Sequence, residues 1–185
     1  MNRFSIALLG IFSMLACNKD TTIKPSAFLR LEYPEANYME QTIESCTYTF
    51  DVNTNAELIK KANCGVNIVY PNMNATIYLT YQEVANNIES LLKDAQKLTY
   101  DHSIKAESII EQMRVDEEKR VFGMFYAIDG DAATQSQFYV TDSTKHFITG
   151  SLYFNVKPNY DSIYPAAVYL QEDIRRIMES IEWKN

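Results

Sequence analysis

Three thiols, two imidazoles and a few acid–hydroxyl neighbours are the groups in this chain whose types and spacing bear on chemistry. His102 follows Asp101, and His146 follows Lys145. An imidazole beside a carboxylate can serve as a base or a metal ligand. Here the two histidines are far apart and form no HExxH or HxH spacing, so surface or capping roles are expected and no metal site is assigned. Asp142-Ser143 and Asp161-Ser162 place a hydroxyl beside an acid, but no G-x-S-x-G elbow accompanies them. Five glycines in 185 residues leave little for phosphate-cradling loops. Glu44, Glu83, Glu111 and Asp131 would make a glycosidase-type carboxylate pair only if the fold brought two of them together. No catalytic constellation emerges and no cofactor is implied. The expectation is a protein that is not an enzyme.

The thiols say more. Cys17 closes a segment with a basic start, Met1-Asn2-Arg3, and an apolar run of 12 residues from Phe4 to Leu15. That pattern marks a secretory signal. As a helix the run would reach only about 18 Å, against a hydrocarbon core of about 30 Å, so it does not span a bilayer. Met14-Leu15-Ala16-Cys17 resembles a bacterial lipobox, with Met14 at the position where Leu is usual. Such a cysteine carries a diacylglycerol, and two or more acyl chains anchor stably. An ordinary signal peptide cut nearby, with Cys17 a spare thiol, is the alternative. Asn18 follows the cysteine and Lys19-Asp20 supplies one acid. A periplasm-facing anchor is expected, with the outer membrane favoured over the inner.

Removal of residues 1–16 leaves 169 residues, enough for one domain with its own core. The expected organisation is a signal peptide over 1–16, a lipidated tether over 17–26 containing Pro25, and a single globular domain over 27–185. The full chain carries 17 basic and 24 acidic residues, net −7. That acidity argues against nucleic acid and anionic headgroups as main partners. The 13 tyrosines suit sheet packing first and interfaces second. Cys46 and Cys64 form an even pair in an oxidising compartment and read as a disulfide. Two free thiols or a metal pair are the rivals, though no histidine lies near either cysteine in sequence.

The elements that must position these groups follow from periodicity. Strands are expected over Phe28–Tyr33 and Cys46–Val52, then a polar loop with a helical turn over Asn53–Asn63. Val66–Tyr70 and Ala75–Tyr81 bracket the turn Pro71-Asn72-Met73-Asn74. Val84, Ile88, Leu91, Leu92 and Ala95 form an apolar stripe that predicts a helix over Glu83–Lys97. Two hairpins follow: Ile110–Val115 with Arg120–Ile128, and Ala133–Thr141 with Phe147–Val156 across Asp142-Ser143-Thr144-Lys145. Asp161 or Ser162 is expected to cap a last helix, with Pro165 in its first turn. Its stripe is Ala167, Leu170, Ile174, Ile177, Met178 and Ile181. The class is therefore α+β, an antiparallel β-sheet packed with two main amphipathic helices. The element order resembles the Mog1/PsbP-like sandwich, which speaks to fold and not to function.

Several runs resemble the family of gliding motility lipoproteins GldD of Bacteroidota. They are Arg30–Pro34, Asn74–Tyr81, Asp94–Tyr100, Gln137–Phe154 and Lys157–Ile163, the last followed by Pro165-Ala166. The likeness extends over nearly the whole mature chain and is weakest at Asn53–Asn63. It implies a lipoprotein needed for gliding and tied to type IX secretion, and it carries no catalytic residues. The expected partners are other gliding and secretion envelope proteins, with the membrane engaged through the lipid. The loop Thr141, Asp142, Ser143, Thr144, Lys145 and His146 is the candidate partner-binding segment. Ser143 and Ser162, like Thr21 after Asp20, sit in D-[S/T]-x sequences resembling sites of O-glycosylation in periplasmic Bacteroidota proteins; a turn at Asp142 and a helix cap at Asp161 are the plainer readings. The rival functional class is a periplasmic small-ligand or glycan-binding module, or an enzyme acting at that surface.

Overall fold

The structure, a computed structural model, describes residues 32–102, 104–156 and 159–184. The signal run, Cys17, the tether and residues 28–31 of the expected first strand lie outside the described residues. Glu32 and Tyr33 belong to no strand. Strands β1 (Tyr38–Thr42), β2 (Tyr48–Asn53), β3 (Glu57–Lys60), β4 (Val66–Tyr70) and β5 (Ala75–Glu83) precede helix α1 (Ile88–His102). Then come β6 (Ala106–Asp116), β7 (Val121–Gly130), β8 (Ser136–Thr141) and β9 (His146–Phe154), helix α2 (Tyr160–Ser180) and the short β10 (Glu182–Trp183). The class is α+β, as expected. The strands divide into two antiparallel sheets, one of order β1-β2-β10 and one of order β3-β4-β5-β9-β8-β7-β6.

The two-residue period of the strands decides what covers each face. Phe138 and Val140 on β8 join the main core with Phe125, Ile148 and Leu152, whereas Tyr139 between them packs on the other side with Phe147. Helix α2 lies on the first face and is shared with the small sheet: Leu170, Ile174 and Ile177 pack among Ile68, Ile77 and Leu152 and against Tyr48, Phe50 and Val52. Helix α1 lies on the second face, with Leu91 and Ala95 against Phe147. The large sheet thus carries a helix on each side. The close packing of β8 on β9 requires Gly150, whose partner across the ladder is Phe138. A Cβ at Gly150 would stand 2.1 Å from the Phe138 ring.

Several boundaries differ from the sequence reading: β6 begins at Ala106 and not Ile110, β8 at Ser136 and not Ala133, and the first helix runs on to His102. The segment Asn53–Asn63 contains β3, because Leu58 pairs with Ile68 and packs on the main core. The strand expected from Cys46 begins at Tyr48. The first helix begins at Ile88 and not at Glu83: β5 continues to Glu83, and Val84 N–H still donates to Lys145 O at 2.8 Å. Asn86 then turns left-handed at φ 61°, and Asn87 Oδ1 accepts from Ala85 N–H at 2.8 Å. The helix axis can form only after that turn. The last helix is entered at Asn159 and not Asp161 or Ser162, and Pro165 lies beyond its first turn. Asp131 supplies the cap from outside, its Oδ1 accepting Tyr160 N–H at 2.8 Å. Strand β1, which exposes most of its side chains, has no counterpart in the sequence reading.

Candidate functional site

The β8–β9 turn is organised by one carboxylate. Asp142 is buried, and its Oδ1 accepts the backbone N–H groups of Thr144, Lys145 and His146 at 2.9, 2.7 and 2.8 Å. Its Oδ2 accepts the Thr144 hydroxyl at 2.8 Å. Thr141 Oγ1 donates to His146 O at 2.6 Å and accepts Ser143 N–H at 2.9 Å, closing the base of the turn. Ser143 sits exposed at the tip with φ 68°. Burial alone would push the Asp142 carboxyl up, but the three backbone donors and the Thr144 hydroxyl outweigh it and hold it down at about 2. A carboxylate so occupied is a structural anion and a poor proton carrier.

His146 closes the turn and joins it to three other segments. Its Nδ1 lies 2.9 Å from the Tyr81 hydroxyl of β5 and 3.2 Å from Thr47 Oγ1 just before β2. Thr47 Oγ1 also donates to the Tyr81 hydroxyl at 3.3 Å, closing a triangle of hydrogen-bonded groups. Its ring stacks on Trp183 of β10 with centroids 5.0 Å apart and planes at 19°. Burial lowers the imidazole below its usual value, with Lys145 adding to the fall and the Asp142 and Glu83 charges opposing it. The neutral ring therefore serves as a hydrogen-bonding group and a stacking plate.

These groups wall a cleft of about 440 Å3. Glu118, Lys119 and Arg120 come from the β6–β7 turn, Asp142, Thr144, Lys145 and His146 from the β8–β9 turn, and Glu182 and Trp183 from the C-terminal strand. The turns are cross-tied. Lys119 Nζ meets Glu182 Oε1 at 2.6 Å, Trp183 Nε1 donates to Arg120 O at 3.0 Å, and Arg120 Nη2 reaches Asp142 O at 3.4 Å. Sequence reasoning singled out the 141–146 turn but not Tyr81, Thr47, Arg120 or Trp183. Their convergence depends on the order of strands, and the single tryptophan at the C-terminal end was the one signal available.

The remaining groups are dispersed. Cys46 and Cys64 are joined, with Cα atoms 5.7 Å apart, tying the lead into β2 of the small sheet to the β3–β4 connection of the large one. Ser162 is exposed in the first turn of α2 and donates to Asn159 O at 2.9 Å. Glu111 accepts the Tyr100 hydroxyl and Asp131 caps α2, so these acids occupy separate settings. Cys17 and Thr21 lie outside the described residues, as does the side chain of His102. Among the described residues no group of three or more His, Cys, Asp or Glu is placed to hold a metal ion.

A second polar cluster escaped the sequence reading altogether. Asp173, 1% exposed, sits within the apolar stripe of α2. Its Oδ1 accepts the Tyr38 hydroxyl at 2.5 Å and its Oδ2 accepts Asn53 Nδ2 at 2.9 Å. Burial first, then the hydrogen bond to Asp173 and its charge, raise the Tyr38 phenol. The cluster pins β1 and β2 to the helix, and its only trace in the sequence is an acid on an apolar face.

Fold and site together define an antiparallel α+β protein whose surface cleft is assembled from hairpin turns and a C-terminal strand. The chain belongs to the family described as gliding motility lipoprotein GldD, whose model matches residues 18–183. It is accordingly a gliding motility lipoprotein, and among its described residues no helix is long and apolar enough to cross a membrane. A search of curated proteins gives no match. Among solved structures it is similar to the solution structure of cyanobacterial PsbP (CyanoP) from Synechocystis sp. PCC 6803, at 7% identity and a TM-score of 0.49, over 81% of this chain and 94% of that one.

Proposed function

We propose that this lipoprotein is a non-catalytic assembly or scaffold component of the gliding and type IX secretion machinery. In this reading residues 1–16 are removed, Cys17 is acylated, residues 17–26 form a tether, and residues 27–185 are one domain facing the periplasm, with the outer membrane favoured over the inner. Acylation confines the domain to a surface, which raises its effective concentration toward other envelope proteins, so a modest interface suffices. The docking element is the loop Thr141–His146.

One observation carries the reading. Asp142 and His146, the acid and the imidazole of the β8–β9 turn, are engaged by the fold: four hydrogen bonds on the carboxylate, and the Tyr81 and Thr47 hydroxyls on Nδ1. They fix the shape of a rigid exposed turn, which is what a docking surface requires.

The test is a photo-crosslinking residue in place of Ser143 in the anchored protein, with the captured species identified from native envelopes. Capture of a defined gliding or secretion component is expected. If cells carrying Ser143→Asp, Thr144→Ala and Lys145→Ala together glide normally and nothing is captured, the docking loop is wrong.

A further inference from the structure

The cleft beside that loop has a chemistry of its own. Trp183 is half-exposed and forms part of its wall. The indole is held at its edge by Nε1–H to Arg120 O and backed by His146, which in turn meets the Tyr81 ring. An aromatic plate fixed in this way loses little entropy on receiving a ring. The charges around it are of both signs but not all are available. Lys119 and Glu182 neutralise each other, and the Asp142 carboxylate is spent on the turn. Arg120, Lys145 and Glu118 are left outside the ion pairs found among the described residues. With Asp142 counted the cleft carries three charges of each sign, but Arg120 and Lys145 are the cations outside its ion pair, in a chain whose net charge is −7. Two cationic donors and one acceptor beside an indole suit a ligand with a C–H face, several hydroxyls and a carboxylate. Arg and Lys bind the carboxylate by charge-assisted hydrogen bonds, and Glu118 accepts from a hydroxyl.

We propose that this cleft binds an acidic oligosaccharide, a uronic-acid-containing glycan, with a sugar ring against Trp183 and its carboxylate held by Arg120 and Lys145. The volume of about 440 Å3 accommodates one to two sugar rings. The inference does not depend on protein docking at the 141–146 loop: crosslinking at Ser143 could fail and the cleft still bind sugar, or the reverse.

Trp183 is the only tryptophan, so its fluorescence reports on the cleft alone. Full-chain protein in mild detergent is titrated with tetragalacturonate, with cellotetraose as the neutral control and tetraglutamate as the acidic-peptide control. A saturable change with tetragalacturonate, at least roughly tenfold weaker with either control, is the expected result. Arg120→Gln and Lys145→Gln should each weaken it by roughly tenfold, the loss of one charge-assisted contact. The Lys145 side chain makes no hydrogen bond or ion pair among the described residues, so its variant leaves the fold intact even if the Arg120 variant does not. No response to tetragalacturonate, an equal or stronger response to tetraglutamate, or unchanged affinity in the Lys145 variant would overturn the proposal.

Discussion

Asp142 shows how a residue that looks reactive in sequence becomes structural in the fold. Next to Ser143 and near His146 it could read as part of a hydrolytic set, yet each of its oxygens is committed to the turn. Asp142→Ala strands three backbone donors and should cost about 2–4 kcal/mol in a urea melt, while Asp142→Asn, which keeps one acceptor oxygen, should cost about half as much. The pH dependence has a definite sign. A carboxyl lowered from 3.8 to about 2 contributes stability that is whole above its usual value and lost as pH falls through that window. His146, also lowered from 6.5, takes a proton more readily in the unfolded chain, so stability first declines as pH drops below about 6.5. Denaturant midpoints measured from pH 7 to pH 3 should therefore fall monotonically, and His146→Gln should remove the upper part of that fall. Asp173 works in the opposite setting, within the core. Asp173→Ala strands the Tyr38 hydroxyl and leaves Asn53 Nδ2 with Tyr169 as its one acceptor, and should cost about 2–4 kcal/mol, read as a lowered thermal midpoint.

At the scale of elements, the hairpins and both apolar stripes were legible because their periodicity is local. The stripe Ala167, Leu170, Ile174, Ile177, Met178 and Ile181 is buried throughout. The first helix shows the limit. Val84 fits its stripe, but the ladder of β5 with β9 claims Val84 first, and a hydrogen bond across strands is invisible to a pattern along one. Strand β3 hid for a related reason: only Leu58 packs on the core, so there is little alternation to read. Two element-level predictions follow from the contacts. The bridge Cys46–Cys64 closes a separation of 18 residues, and its removal by Cys46→Ala with Cys64→Ala should cost about 3 kcal/mol in the chain-entropy model, measured by denaturant unfolding. Gly150→Ala forces Phe138 from its place and should cost about 1–3 kcal/mol, with the ring resonances of Phe138 shifted in NMR spectra.

At the scale of the whole molecule, the arrangement is a large sheet with a helix on each face and a small sheet laid over α2. The small sheet is held by the Asp173 cluster, the disulfide and β10, which pairs with β2 through Glu182 and Trp183. Folding back the last few residues brings Trp183 to the turns at 117–120 and 142–145, and the cleft exists only because of that return. Cys17→Ala should shift the protein from the membrane fraction to the soluble one on cell fractionation, since the acyl chains and not an apolar face are proposed to hold it there.

The chain order by itself determined the signal-and-cysteine pattern, the hairpins, the two amphipathic helices and the family, because each is written in neighbours a few residues apart. Only the tertiary structure decided that the strands split into two sheets, that Asp173 and Tyr38 meet across 135 residues, and that Thr47, Tyr81, His146 and Trp183 share one site. Those meetings are set by strand order and by which face each helix covers. Both depend on how buried surface and backbone hydrogen bonds are satisfied over the entire chain at once, which no local stretch of sequence specifies.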